Sequence, residues 1–300
     1  MKHLLTTLAM GSMLLTGCTD DQDEMKVANL NLNLSGLEDL GNDFTYEGWI
    51  MVDGTPVSTG TFDVDAEGNL SRSSFELDIN DINAATAFIL SIEPIPDPDP
   101  APSAVKILGG DFSGNSASVS ISHAAALGTS FTGASGGFIL ATPTTADPND
   151  NQAGVWFIDN SGATPSAGLK DLPDLSSLSG WTYEGWAVID GIPVSTGTFN
   201  QADVADDNAT SSVFKGLDGD GPGYPGEDFI NNAPMGLSFP ADLTTAGTAI
   251  VISIEPVPDN SPMPFTLKPL AGSAAGAELA TYTLMDNIAA STYPSGTVSR

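Results

Sequence analysis

Tyr46-Glu47-Gly48-Trp49-Ile50-Met51-Val52-Asp53-Gly54-Thr55-Pro56-Val57-Ser58-Thr59-Gly60-Thr61-Phe62 returns later in the chain as Tyr183-Glu184-Gly185-Trp186-Ala187-Val188-Ile189-Asp190-Gly191-Ile192-Pro193-Val194-Ser195-Thr196-Gly197-Thr198-Phe199. A second pair follows in the same order, Ile89-Leu90-Ser91-Ile92-Glu93-Pro94 and Val251-Ile252-Ser253-Ile254-Glu255-Pro256. Two ordered matches are the mark of a duplicated unit, and the unit is far longer than a solenoid repeat. The chain therefore reads as two tandem domains. The second copy is longer, with an insertion at about 201–236.

Within each copy the apolar spacing is that of strands. Leu30, Leu32 and Leu34 alternate with asparagines; Phe75, Leu77 and Ile79 alternate with Glu76, Asp78 and Asn80; Ala117, Val119 and Ile121 alternate with serines. A period of two buries one face of a strand and leaves the other in water. Asp53-Gly54 and Asp190-Gly191 stand between apolar runs, as hairpin turns do. Glycine (32) and proline (21) punctuate the chain, and no segment keeps helical spacing. The expected fold is all-β, two tandem antiparallel β-sandwiches of Ig-like kind. Turn chemistry at Gly133–Gly137 and at Asp147-Pro148-Asn149-Asp150 puts the boundary near 135, giving domains 27–135 and 136–300.

The first seventeen residues read as a processing signal. Lys2 and His3 supply a short basic start, and the apolar run Leu4–Leu15 is shorter than the roughly 20 residues a membrane span needs. Leu15-Thr16-Gly17-Cys18 resembles the bacterial lipobox, in which the cysteine is acylated and becomes the new N-terminus. Cys18 is the sole cysteine. The resemblance implies a lipid anchor on Cys18, an acidic tether over 18–26, and a place in the cell envelope. Thr19 stands where an aspartate would signal retention in the inner membrane, which favours the outer membrane in a Gram-negative source. The formal net charge is −30, and Lys2 leaves with the signal. Such a balance repels phosphate backbones, so no nucleic acid is expected as partner; cations or cationic partners are compatible.

The repeated residues carry a further resemblance. The Tyr46-x-x-Trp49 and Tyr183-x-x-Trp186 strands lead through a turn into Pro-Val-Ser-x-Gly. The later strands close in Glu93-Pro94 and Glu255-Pro256, followed by proline-rich tails. Together these are similar to the extracytoplasmic C-terminal domain of anti-sigma-K factors. Ile95-Pro96-Asp97 and Val257-Pro258-Asp259 replace the usual Gly-Gly after Glu-Pro. The chain shows no sigma-binding domain and no membrane-spanning helix. The resemblance thus implies the sensor-side fold without sigma-inhibiting activity.

Read as side chains, Trp49 and Trp186 carry enough apolar area to pin one sheet to the other, or to act as a ligand platform. Glu93 and Glu255, at strand ends before proline, suit acceptors for loop amides or a ligand or metal contact. A catalytic set is not apparent: His123 is the one histidine beyond the signal, and no Ser–His pair sits in a nucleophile elbow. Zinc sites of His and Cys are excluded by count. Asp218-Gly219-Asp220-Gly221 offers hard oxygens at alternate positions, as calcium prefers, without the full EF-hand pattern. No cofactor is expected beyond that calcium option at Asp218 and Asp220. The reading is a non-catalytic, lipid-anchored binding, sensing or regulatory module with an envelope protein partner; the alternative is a structural or adhesive surface lipoprotein that binds calcium.

Overall fold

A computed structural model describes residues 26–259 and 261–300. The signal segment 1–17, Cys18 and nearly all of the tether lie outside the described residues. The first half comprises β1 (Val27–Ser35), β2 (Phe44–Val52), β3 (Thr55–Phe62), β4 (Ser74–Asp78), the short helix α1 (Ile79–Ala84), β5 (Ala87–Pro94), β6 (Lys106–Ser113) and β7 (Ser116–Ser120). The chain continues through β8 (Ser135–Leu140), β9 (Gly154–Trp156), β10 (Ile158–Asp159), β11 (Ser166–Ala167) and β12 (Leu169–Lys170). It ends with β13 (Trp181–Ile189), β14 (Ile192–Phe199), β15 (Gly226–Asp228), β16 (Ala249–Pro256), β17 (Leu270–Ser273), β18 (Thr283–Asn287), one helical turn α2 (Ala289–Thr292) and β19 (Ser295–Ser299).

The protein is all-β, with two large antiparallel sheets. The first runs β3-β2-β5-β6-β7-β19-β1-β4, and the second β14-β13-β16-β17-β18-β8-β9-β15, with β12 on the side of β8. In the first sheet the ends of the path, β3 and β4, touch, and β14 meets β15 in the second. Each sheet thereby curls into a sandwich-like, barrel-like body. The duplicated hairpins superimpose in detail. Asp53 and Gly54 have φ of 49° and 78°, Asp190 and Gly191 52° and 81°, the double positive φ of a type I′ turn. A bulge follows at Gly48/Trp49 and again at Gly185/Trp186.

The expected boundary fails at one strand. The boundary near 135 puts residues 295–299 in the second domain, yet β19 is hydrogen-bonded between β1 and β7 of the first sheet. It fills there the position that β8 fills in the second. Val298, fully buried, lies opposite Leu32 on one side and Ala117 on the other. Arg300 then donates to the carbonyls of Ile82 and Ala85 at 2.5 and 2.7 Å, closing the end of α1, and stacks on Phe112 at 4.4 Å. The alternation expected through Asn80 stops earlier, because the Asp78 carboxylate accepts the Asn80 N–H at 2.7 Å and caps α1.

One contiguous apolar cluster runs through both units. Phe131, in the connection, meets Tyr183 and Tyr293 edge-on at 6.4 and 6.0 Å. Among the described residues no helix is long and apolar enough to cross a membrane. The role of β19 is open to measurement. Val298→Ala removes two methyls from a closed site and should cost about 2 kcal/mol, lowering Tm by about 4–8 °C. An unchanged Tm in thermal unfolding would show that β19 does not hold the first sheet.

Candidate binding cleft at the Glu-Pro loops

β5 and β16 each end in a proline, which has no N–H to give to a ladder, so the chain leaves the sheet there. The loop that follows needs its own acceptor, and the glutamate before the proline supplies it. Glu93 Oε1 and Oε2 accept the Ser103 N–H at 2.9 and 3.2 Å, and Oε1 also takes the Ser91 hydroxyl. Glu255 Oε1 accepts the Phe265 N–H at 2.9 Å together with the Ser253 hydroxyl. Each serine in turn receives an indole N–H, from Trp49 at 2.8 Å and from Trp186 at 2.7 Å. This Trp–Ser–Glu relay is identical in the two copies.

The relay revises the view of the tryptophans. Both are 3 % exposed, so neither offers a face to a ligand, and both stand outside the contiguous apolar cluster that joins the sheets. They are buried on the polar face of their own sheet, beside Glu47 and Glu184, which take the hydroxyls of Ser58 and Ser195. Tyr46 and Tyr183 face the core instead. Their hydroxyls donate to the carbonyls of Glu38 and Pro173, both at 2.9 Å, and their rings stack on Phe62 and Phe199 at 5.6 and 5.4 Å.

The two Glu-Pro loops meet where the units join and enclose a cleft of about 540 Å³. Leu40, Phe44 and Val105 wall it from the first unit, and Val257, Pro258 and Phe265 from the second, while Glu38, Asp39 and Asp259 give an acidic rim. The junction is fixed by short contacts. Glu38 Oε2 accepts the Thr266 N–H at 2.6 Å, and the Thr266 hydroxyl donates to the Gly36 carbonyl at 3.2 Å. Gly180, at φ +87°, approaches Ala104 so closely that a β-carbon there would lie 2.8 Å from the Ala104 carbonyl carbon. Glycine is thus required at that crossing.

Electrostatically the junction is an unusual place for acids. Burial pushes Glu38 up to about 7, against the pull of the Thr266 N–H, and burial likewise pushes Glu255 up to about 7. The half-buried Lys268 is driven down by the same desolvation, while Glu38 and Glu255 draw it back up. Glu255 Oε2 is buried without a hydrogen-bond partner, whereas both oxygens of Glu93 are used.

The other sequence-derived candidates lie elsewhere. His123 falls in the turn after β7, with Nε2 3.4 Å from Asp111 Oδ1, and does not line the cleft. Asp218 Oδ2 accepts the Ala146 N–H at 2.9 Å, and Asp220 pairs with Lys215 at 2.7 Å. One oxygen of each carboxylate is thus already engaged by a donor. Among the described residues no group of three His, Cys, Asp or Glu side chains is gathered for a metal. Comparison with family models, curated proteins and solved structures gives no match.

Sequence reasoning passed over Ser91, Ser253 and Glu38. The serines were legible, since Ser-Ile-Glu-Pro is repeated and positions two apart share a face of a strand. Glu38 had no such signal, because its partner Thr266 is remote in sequence.

The raised Glu255 carboxyl makes stability depend on pH with a definite sign. Unfolded, it titrates near 4.5; folded, near 7. Between these values the native chain holds a proton that the unfolded chain has lost, so the contribution of Glu255 to stability is full below about pH 4.5 and declines toward pH 7. Glu255→Gln should flatten part of that decline in urea unfolding between pH 5 and pH 8. A slope identical to wild type would remove Glu255 as its source.

Proposed function

We propose that this chain is a non-catalytic, lipid-anchored envelope protein whose two anti-sigma-K-like units act together as one binding module. The observation that carries the reading is the cleft. It is built from the same loop of both copies, so duplication created a surface that neither copy has alone. Its apolar walls and acidic rim suit an apolar segment bearing positive charge, presented by another envelope protein. Cys18, as the acylated residue, would hold the module at the membrane, and several acyl chains on one cysteine anchor firmly. The family resemblance supports a sensing or regulatory role in which the signal passes through a partner.

Two measurements test this. Cys18→Ser should move the protein from the membrane fraction to the soluble fraction while its Tm stays unchanged; retention in the membrane would remove the lipid anchor. Val257 is half exposed on the cleft wall. Val257→Arg should therefore abolish cross-linking of a reproducible envelope partner without altering Tm. Equal capture by both proteins would place recognition outside the cleft and favour the structural or adhesive alternative.

A further inference from the structure

The two copies differ sharply at one buried position. In the first sheet the end strand β4 pairs with β1, placing Phe75 opposite Leu30; in the second, β15 pairs with β9, placing Glu227 opposite Val155. Phe75 and Glu227 hold equivalent places. Phe75 is fully buried, and its ring lies over Gly60, 3.5 Å from where a β-carbon would stand. Gly197, the counterpart of Gly60, has the same backbone conformation, φ +105° against +103°. No ring covers it. A β-carbon there would instead meet Asn208 Oδ1 at 2.6 Å and Asp206 Oδ1 at 2.9 Å.

The oxygens of this cluster are only half used. Asp206 Oδ2 accepts the Gly226 N–H at 3.0 Å, one residue before Glu227, and Glu227 Oε1 accepts the Asp228 N–H at 2.8 Å. Asp206 Oδ1, Asn208 Oδ1 and Glu227 Oε2 remain, all buried and none with a hydrogen bond of good geometry, although the Ser212 hydroxyl lies close enough to the Glu227 carboxyl to favour its charged form. The two acids are 5 % and 2 % exposed. Buried acceptors left without donors are costly, and buried charges without counter-charge more so. Among the described residues no lysine or arginine acts on either acid, and Lys215 and Lys170 pair with Asp220 and Asp159 instead. Burial pushes both acids up, Glu227 to about 7 and Asp206 to about 6, and the charge of Asp206 adds to the shift of Glu227. A single proton could satisfy one of the three oxygens but not all of them.

We infer that Asp206 Oδ1, Asn208 Oδ1 and Glu227 Oε2 form a binding site for a hard divalent cation of calcium type in the second unit. Two carboxylates balance the double charge, and the mixed carboxylate and carboxamide set with flexible geometry is what calcium accepts and zinc does not. Backbone carbonyls and water complete the shell. The ion takes the place in the second copy that the Phe75 ring takes in the first. The assignment is independent of the cleft and of any partner bound there.

The test uses the full mature chain, stripped with EDTA and titrated with calcium chloride by isothermal calorimetry, with magnesium chloride as a parallel arm. Calcium should bind at one site and raise Tm by about 5 °C at a hundredfold excess over Kd. Asp206→Asn with Glu227→Gln should abolish both effects, while Asp218→Asn with Asp220→Asn retains them. Asn208→Asp should keep or tighten calcium binding, since it adds a third carboxylate. No calcium heat at millimolar ion would overturn the site, as would an undiminished response in the Asp206/Glu227 double variant, which signals diffuse counter-ion binding. A destabilised Asn208→Asp protein that ignores calcium would equally overturn it, by showing that Asn208 serves as a donor.

Discussion

Val298 lies between Leu32 and Ala117, paired on both edges of its strand, and the rest of the architecture follows from that placement. Without β19, β1 and β7 would each present an unpaired edge, a row of backbone donors and acceptors with no partner. With it, the first sheet continues unbroken from β3 to β4 and curls until its ends touch. Since β19 comes after the whole second unit, that unit is held at both of its ends by the first. The shared apolar cluster, the Glu38–Thr266 contact and the close crossing of Gly180 over Ala104 all lie along this doubly fastened junction. The cleft is shaped by the same constraint.

The interior acids obey a second constraint. The chain has 38 acidic and 8 basic residues, too few cations to neutralise each carboxylate that the sheets bury. Glu47, Glu93, Glu184 and Glu255 are instead held by serine hydroxyls, and Glu38, Glu93 and Glu255 also by loop amides. Hydroxyls and amides favour the charged form, but desolvation outweighs them at Glu38, Glu184 and Glu255. These three groups consequently titrate near neutrality.

Much of this was visible in the sequence, and the exceptions share a cause. The Asp-Gly hairpins and the Leu30–Leu34 alternation depend on neighbours in the chain, so local patterns revealed them. β19 has one buried apolar residue, Val298, among serine, glycine and threonine, and no strand pattern emerges; its two neighbours impose the strand. β15 reads Gly226-Glu227-Asp228, which looks like an acidic turn, yet all three residues are buried. Composition treats Glu and Asp as surface residues, so nothing in the insertion's sequence marks Glu227 and Asp228 as buried. At Trp49 and Trp186 apolar area points to the space between sheets, but the indole N–H, bonded to Ser91 and Ser253, holds each ring on the polar face.

The strand that completes the first sheet also sets a timetable. A ribosome delivers β1 to β7 first, then the whole second unit, and only afterwards residues 295–299. Until those arrive, the first unit is an open sheet with two sticky margins, while the second already has all its strands. The second unit can therefore mature ahead of the first despite being made later. During synthesis the vulnerable species is the older half of the chain, and its protection from mispairing rests with whatever escorts the nascent polypeptide.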